Sequence, residues 1–398
     1  MNFSPAARVK RYSAKMVTHL AEKLFDGLGS NQSLRVVDPF CGSGEILLAA
    51  QRLGIKSVGF DVNPYATLLS QVQLERFDIV EASELMSELV SSYASHESQM
   101  HLSIENAEYW FPGLALNNLR RLKSLACKMA LYKTASGRSV LLSLAQCVRL
   151  VSYADNRSPK PFISRSARSQ KLGVYRDPLE YSRVMHGAIC IAFGGRTCGS
   201  VSSKPWLADA SSSEAWKIVQ GSYTHAITSP PYINAQDYFR NFKFEIGFLA
   251  DLVPEFGANI AGKFIGRERG LRGTAVDELG ALAVDYFDEL NPSLRAIRLD
   301  YPKLGAILYK YFFDMRQVFS VMHEYLEVAA EVRLVCSDNL IRGYNIPTGK
   351  ILCQLLQPHG FEIKARFDDS IRVRYLAPKR AGHEALMRAE TIYYLRRG

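Results

Sequence analysis

Two short stretches bring together residue types that can do chemistry. The first is Val36-Val37-Asp38-Pro39-Phe40-Cys41-Gly42-Ser43-Gly44, a β-branched run that ends in a carboxylate and passes into a turn of small residues. Glycines in such a turn let the backbone approach a ligand closely, and a helix that starts behind it favours a carboxylate or a phosphate. Alone, a G-x-G turn is more often a plain strand-to-helix connection. The second stretch is Thr228-Ser229-Pro230-Pro231-Tyr232. It offers a hydroxyl, a carbonyl held by prolines that fix φ and bring no competing N–H, and an aromatic face. Alone, Pro-Pro before an aromatic residue is also a rigid turn.

The elements that must position these residues are legible around them. Met16, Leu20, Leu24, Phe25 and Leu28 fall at helical spacing over 15–28, and Gly29-Ser30-Asn31 leads into a buried strand over 34–38. After Gly42-Ser43-Gly44, EILLAAQRLG reads as a helix closed by Gly54, and SVGFDVN as a second strand ending in Asp61. Strand, glycine turn, helix and strand in so short a span make a βαβ unit. Residues 75–200 read as a mostly helical, irregular insertion. Strand character returns at 224–228, immediately before Ser229. A second insertion over about 235–305 carries GKFIGRERGLRG, a flexible basic loop by composition. A helix over 309–329 then feeds a strand at 331–336, and two further strands at 370–376 and 391–396 suit an antiparallel sheet edge. The fold class expected is α/β: a doubly wound, mostly parallel sheet with an antiparallel C-terminal edge and largely helical insertions. Its parts are 1–75 as the cofactor half, 76–204 as a basic insertion and 205–398 as the catalytic half.

With 398 residues the chain can bury a large core, and no apolar run approaches a membrane span. MNFSPAARVKRY has basic residues but no apolar signal core behind it, so a cytoplasmic location is expected. Seven cysteines without a C-x-x-C pair read as reduced thiols and not as a zinc site. The net charge is +10, yet residues 117–176 alone hold 13 Lys or Arg against one acid, Asp155. Basic residues there alternate with apolar and aromatic ones. This points to a folded surface facing phosphates, with Arg149, Arg157, Lys160, Arg165, Arg168 and Lys171 as the candidates.

A nicotinamide dinucleotide is one ligand for the first stretch, since Asp61 stands where an acid would take ribose hydroxyls. Leu47 and Leu48, however, occupy the place of the third glycine of that fingerprint. The D-P-F-C-G-S-G run instead resembles the cofactor motif of the DNA amino-methyltransferases, and G-F-D-V-N resembles the ribose-binding strand end that follows it. S-P-P-Y resembles the catalytic motif of the same family. The resemblance covers about 11–75, 205–245 and 309–397, and implies the S-adenosylmethionine-dependent methyltransferase sheet.

By that resemblance Asp38, Gly42 and Gly44 hold the methionine part of S-adenosylmethionine, with Pro39, Phe40 and Cys41 around it. Asp61, beside Asn63, takes the ribose, and Asp209, beside Ala210, takes the adenine amino group. Lys15 belongs to the Arg11–Met16 stretch that resembles the cover of the methionine pocket. Ser229, Pro230, Pro231 and Tyr232 form the catalytic end. An exocyclic amine is a poor nucleophile because its lone pair is delocalised into the ring. Ser229 and the Pro230 carbonyl would accept its two hydrogens, and Tyr232 would stack on a base flipped out of the duplex. Methylation at cytosine carbon 5 needs a cysteine that its family presents after proline, and no Pro-Cys dipeptide exists here.

The first motif position is Ser, commoner for cytosine N4 than for adenine N6. The cofactor motif precedes the catalytic one, as in a subgroup, and this leaves the base open. The expected function is site-specific methylation of double-stranded DNA at cytosine N4, with a companion restriction or defence system a possible partner. Adenine N6, a tRNA guanine-N2 activity and a non-catalytic nucleic-acid-binding module are the alternatives.

Overall fold

A computed structural model of the chain describes residues 12, 16–28, 33–98, 100–155, 158–165, 175–195, 201–219, 221–233, 237–254, 260–267, 273–370 and 389–398. The βαβ unit forms from strand β1 (Arg35–Asp38), helix Glu45–Arg52 and strand β2 (Lys56–Asp61). Three more strands, β3 (Ser203–Leu207), β4 (Tyr223–Thr228) and β5 (Leu326–Cys336), lie parallel to these. A small hairpin of β6 (Asn339–Ile341) and β7 (Tyr344–Ile346) follows, then β8 (Phe361–Ser370) and β9 (Ala389–Arg397). The main sheet has the order β3-β2-β1-β4-β5-β9-β8, with β9 antiparallel to both of its neighbours. This is a doubly wound, mostly parallel sheet with an antiparallel C-terminal edge.

Period-two alternation decides the two faces. Val36, Ile227, Val335 and Ile392 pack against helices Thr18–Lys23 and Glu45–Arg52 on one side. Val37, Ala226, Leu334 and Tyr393 share the opposite core with helices Ala281–Leu290, Pro302–Met322 and Thr348–Leu356. A third core belongs to the first insertion. Helices Ile79–Tyr93, Gly113–Lys128, Ala135–Leu150 and Pro178–Phe193 build it, and Phe242, Phe244, Phe248 and Phe264 of the second insertion complete it. The buried Lys123 ties the two insertions together, donating at 2.9 Å both to Asp251 Oδ2 and to the His101 carbonyl.

Several expected boundaries move. The helix expected at 309–329 begins at Pro302 and stops at Met322, and the residues from Leu326 already pair with β4. Apolar spacing there suits either element, and sheet pairing decides. Strand β8 (Phe361–Ser370) is not among those expected, and of the strand expected at 370–376 all but Ser370 lies outside the described residues. Among the described residues of the amphipathic helix expected over 15–28, Thr18–Lys23 is helical. In the second insertion 275–300 is helical: Ala275–Leu279, Ala281–Leu290 and Pro292–Asp300. Part of the Gly/Arg loop, 268–272, lies outside the described residues.

Candidate active site

From β1 the chain leads to β2 and β3 on one side and to β4 and β5 on the other, so the order reverses between β1 and β4. Loops leaving the carboxyl ends of two such strands diverge to opposite faces and open a crevice. Asp38 ends β1 and Thr228 ends β4, and the Thr228 hydroxyl donates to Asp38 Oδ1 at 2.7 Å. One hydrogen bond therefore joins the two chemical stretches, 190 positions apart in the chain.

A cleft of about 890 Å³ of empty space, its open mouth included, begins there. Asp38, Pro39, Phe40, Cys41, Gly42, Asp61, Asp209 and Ala210 line it together with Ser229, Pro230, Pro231 and Tyr232. Gly44 and Asn63 do not line it; they shape its walls. Gly44 has φ +84°, and a Cβ there would stand 2.1 Å from Ser70 Oγ. Asn63 caps helix Pro64–Leu74, accepting from the Tyr65 N–H at 3.1 Å. Lys15 lies outside the described residues, but Tyr12 and Met16 of the same stretch line the cleft. Tyr12 stacks on Phe242 with ring centroids 4.8 Å apart. Tyr238, Lys263, Phe264 and Ile265 complete the wall from the second insertion. Nothing in their local spacing marks them; only the packing of that insertion brings them here.

Hydrogen bonds knit the strand ends. Asp61 accepts from the Gly42 N–H at 2.9 Å and from the Asn63 N–H at 2.8 Å, and the Ala208 N–H donates to the Asp61 carbonyl at 3.0 Å. Asp209 Oδ1 accepts from the N–H and the hydroxyl of Ser211. Asp38 is 2% exposed, and its partners, Thr228 and the Phe40 N–H at 3.0 Å, are neutral donors that both fall on Oδ1. Burial raises its pKa to about 7, against the pull of those two bonds, and raises that of Asp61 to about 6. A carboxylate buried among neutral donors suits a cationic ligand group such as an ammonium.

Arg149 departs from the expected phosphate-facing role. Only 4% of it is exposed, and its guanidinium donates to the carbonyls of Pro159 at 2.6 Å, Asp155 at 3.2 Å and Asn241 at 3.3 Å, and to that of Ser158. It organises the loop behind helix Ala135–Leu150. Other cations of the basic stretch are also engaged internally: Lys123 as above, Arg138 with Glu75 at 2.6 Å, and Arg176 with the Leu150 carbonyl at 3.0 Å. Arg165 is exposed and Lys160 half-buried, while Arg157, Arg168 and Lys171 lie outside the described residues.

No family model matches the chain. It is 23% identical to the type II methyltransferase M.BsoBI of Geobacillus stearothermophilus over 265 residues, which are 60% of this chain and 52% of that protein. It is 30% identical to the type II methyltransferase M.MjaII of Methanocaldococcus jannaschii over 80 residues, 20% of this chain and 15% of that protein. The chain is similar to type II methyltransferases. It spans about half the length of the first of these relatives and less of the second. Among solved structures, a SAM-dependent methyltransferase from Methanosarcina mazei aligns over 92% of this chain and 93% of its own, at 11% identity and a TM-score of 0.31.

Proposed function

We propose that the protein is an S-adenosylmethionine-dependent methyltransferase acting on the exocyclic amine of a DNA base, cytosine N4 in the first instance. The observation that carries this is the Thr228–Asp38 bond, through which the ligand-holding end and the S-P-P-Y end share one cleft. The similarity to type II methyltransferases supports the same reading.

The residues present fit the cofactor. Asp38 would receive the methionine ammonium, which suits a buried carboxylate with only neutral partners. Asp61 keeps lone pairs for ribose hydroxyls beyond the two N–H groups it accepts, and Asp209 would accept from the adenine amino group. S-adenosylmethionine, when bound, supplies an electrophilic methyl group on a sulfonium sulfur. Ser229 Oγ and the Pro230 carbonyl hold the two amine hydrogens of the target, drawing the nitrogen lone pair out of conjugation and orienting it. Tyr232 presents its ring face to the flipped base. Exposed cations of the basic stretch, Arg165 among them, would meet the DNA phosphates.

Purified protein is to be incubated with isotopically labelled S-adenosylmethionine and either double-stranded DNA or total tRNA in parallel, and the digested nucleosides identified by mass spectrometry. Labelled N4-methylcytosine is expected. Label in N6-methyladenine would move the assignment to adenine, label only in guanine of RNA would remove DNA as the substrate, and no label in any nucleic acid would overturn the proposal.

A further inference from the structure

Tyr232 is held at its tip by a part of the chain remote from its own motif. Its phenol donates to Glu390 Oε1 at 2.5 Å, across 158 positions. That length belongs to charge-assisted O–H···O⁻ bonds. Tyr238, whose ring lies 6.2 Å from that of Tyr12, lines the same cleft beside it. Gly266 passes the Tyr232 carbonyl at a distance where a Cβ would make ordinary van der Waals contact, 3.6 Å. Glu390 is the second residue of β9, the antiparallel strand, and lies outside both chemical stretches.

We propose that Glu390 is a positioning residue of the base pocket: by accepting from Tyr232 it fixes the plane of the ring that faces the target base. This deepens the methyl-transfer reading above and rests on it. A tyrosine that is free at its tip must be ordered when the base arrives, whereas an anchored one is ordered beforehand. The anchor also takes up the phenol proton. A free phenol could donate to the acceptor edge of the base and compete with the contacts made by Ser229 and Pro230. Burial and the Glu390 charge push the Tyr232 pKa well above its ordinary value, so the phenol stays a donor with its proton committed to Glu390. The ring then offers a flat heteroaromatic base its face alone.

The test uses the full chain, plasmid DNA, methyl transfer, calorimetry with S-adenosylhomocysteine and thermal melting. Glu390→Ala is expected to raise the KM for DNA about tenfold, the scale of one hydrogen bond to a charged group. Cofactor affinity and melting temperature should stay near wild type. Glu390→Gln, whose amide oxygen still accepts, should restore most of the loss. Tyr232→Phe should match Glu390→Ala, and the double variant should be no worse than either. Should Glu390→Ala fail to fold, Tyr232→Phe and Glu390→Gln carry the test. An unchanged KM in Tyr232→Phe, or losses that multiply in the double variant, would overturn the inference while wild-type activity leaves the proposed function standing. A wild-type protein that methylates no DNA would overturn both.

Discussion

Ser229 separates chemistry from turn structure. If its hydroxyl accepts an amine hydrogen in the transition state, Ser229→Ala should lower the single-turnover rate by about 10² to 10³. Cofactor affinity measured by calorimetry should not change. An undiminished rate would make Ser229 only part of a rigid turn. Asp38 yields a prediction in pH. The unfolded carboxyl titrates near the ordinary value, about 3.9, and the folded one near 7. Between those values the folded state binds more protons, so this group's contribution to stability falls as pH rises and is fully lost above about 7. An ammonium ligand reverses that loss because it pairs with the ionised form. The melting-temperature gain given by S-adenosylhomocysteine should therefore grow from about pH 5.5 to about pH 8, and Asp38→Asn should flatten the trend. A gain independent of pH in the wild type would place the ammonium elsewhere.

The first insertion shows at the level of elements how charge counted along a sequence overstates charge on a surface. The loop behind helix Ala135–Leu150 closes on Arg149, which holds carbonyls from 155 to 241. Arg149→Ala should cost on the order of 2 to 4 kcal/mol in chemical denaturation, because several buried carbonyls lose their donor. Arg165→Glu at an exposed position should leave stability alone. It should instead weaken DNA binding and reduce the slope of log affinity against log salt by about 1 or more. Equal effects of the two substitutions on DNA affinity at unchanged stability would return Arg149 to the phosphate surface. Strand β3 carries a related lesson. SKPWL, short and interrupted by Pro205, is not read as a strand from the sequence, and β3 lies at the end of the strand order, where a missing N–H is tolerated.

For the whole molecule, the two insertions share one core although about thirty residues of sheet and cleft separate them in sequence. Excising 76–200, which spares strand β3, and bridging the gap with a short linker should leave Phe242, Phe244 and Phe248 without cover. The product should aggregate or show a smaller, less cooperative transition by circular dichroism; a soluble, cooperatively melting product would show that the sheet region folds without that core. What the sequence determined unaided is the local grammar. The βαβ unit, the glycine turn, β4 running into Ser229 and the antiparallel strand at 391–396 were all legible, because φ preferences, β-branching and motif spacing act over a few residues. Asp38, Asp61, Asp209 and Ser229–Tyr232 were likewise legible as residues. Only the tertiary structure decided that they line one cleft, that Tyr12, Tyr238 and Lys263 close its wall, that Arg149 turns inward and that Glu390 anchors Tyr232. Each of these depends on strand order or on packing between segments tens to hundreds of residues apart. Such contacts are set by which apolar faces can be buried together, and that competition leaves no periodic trace in the local sequence.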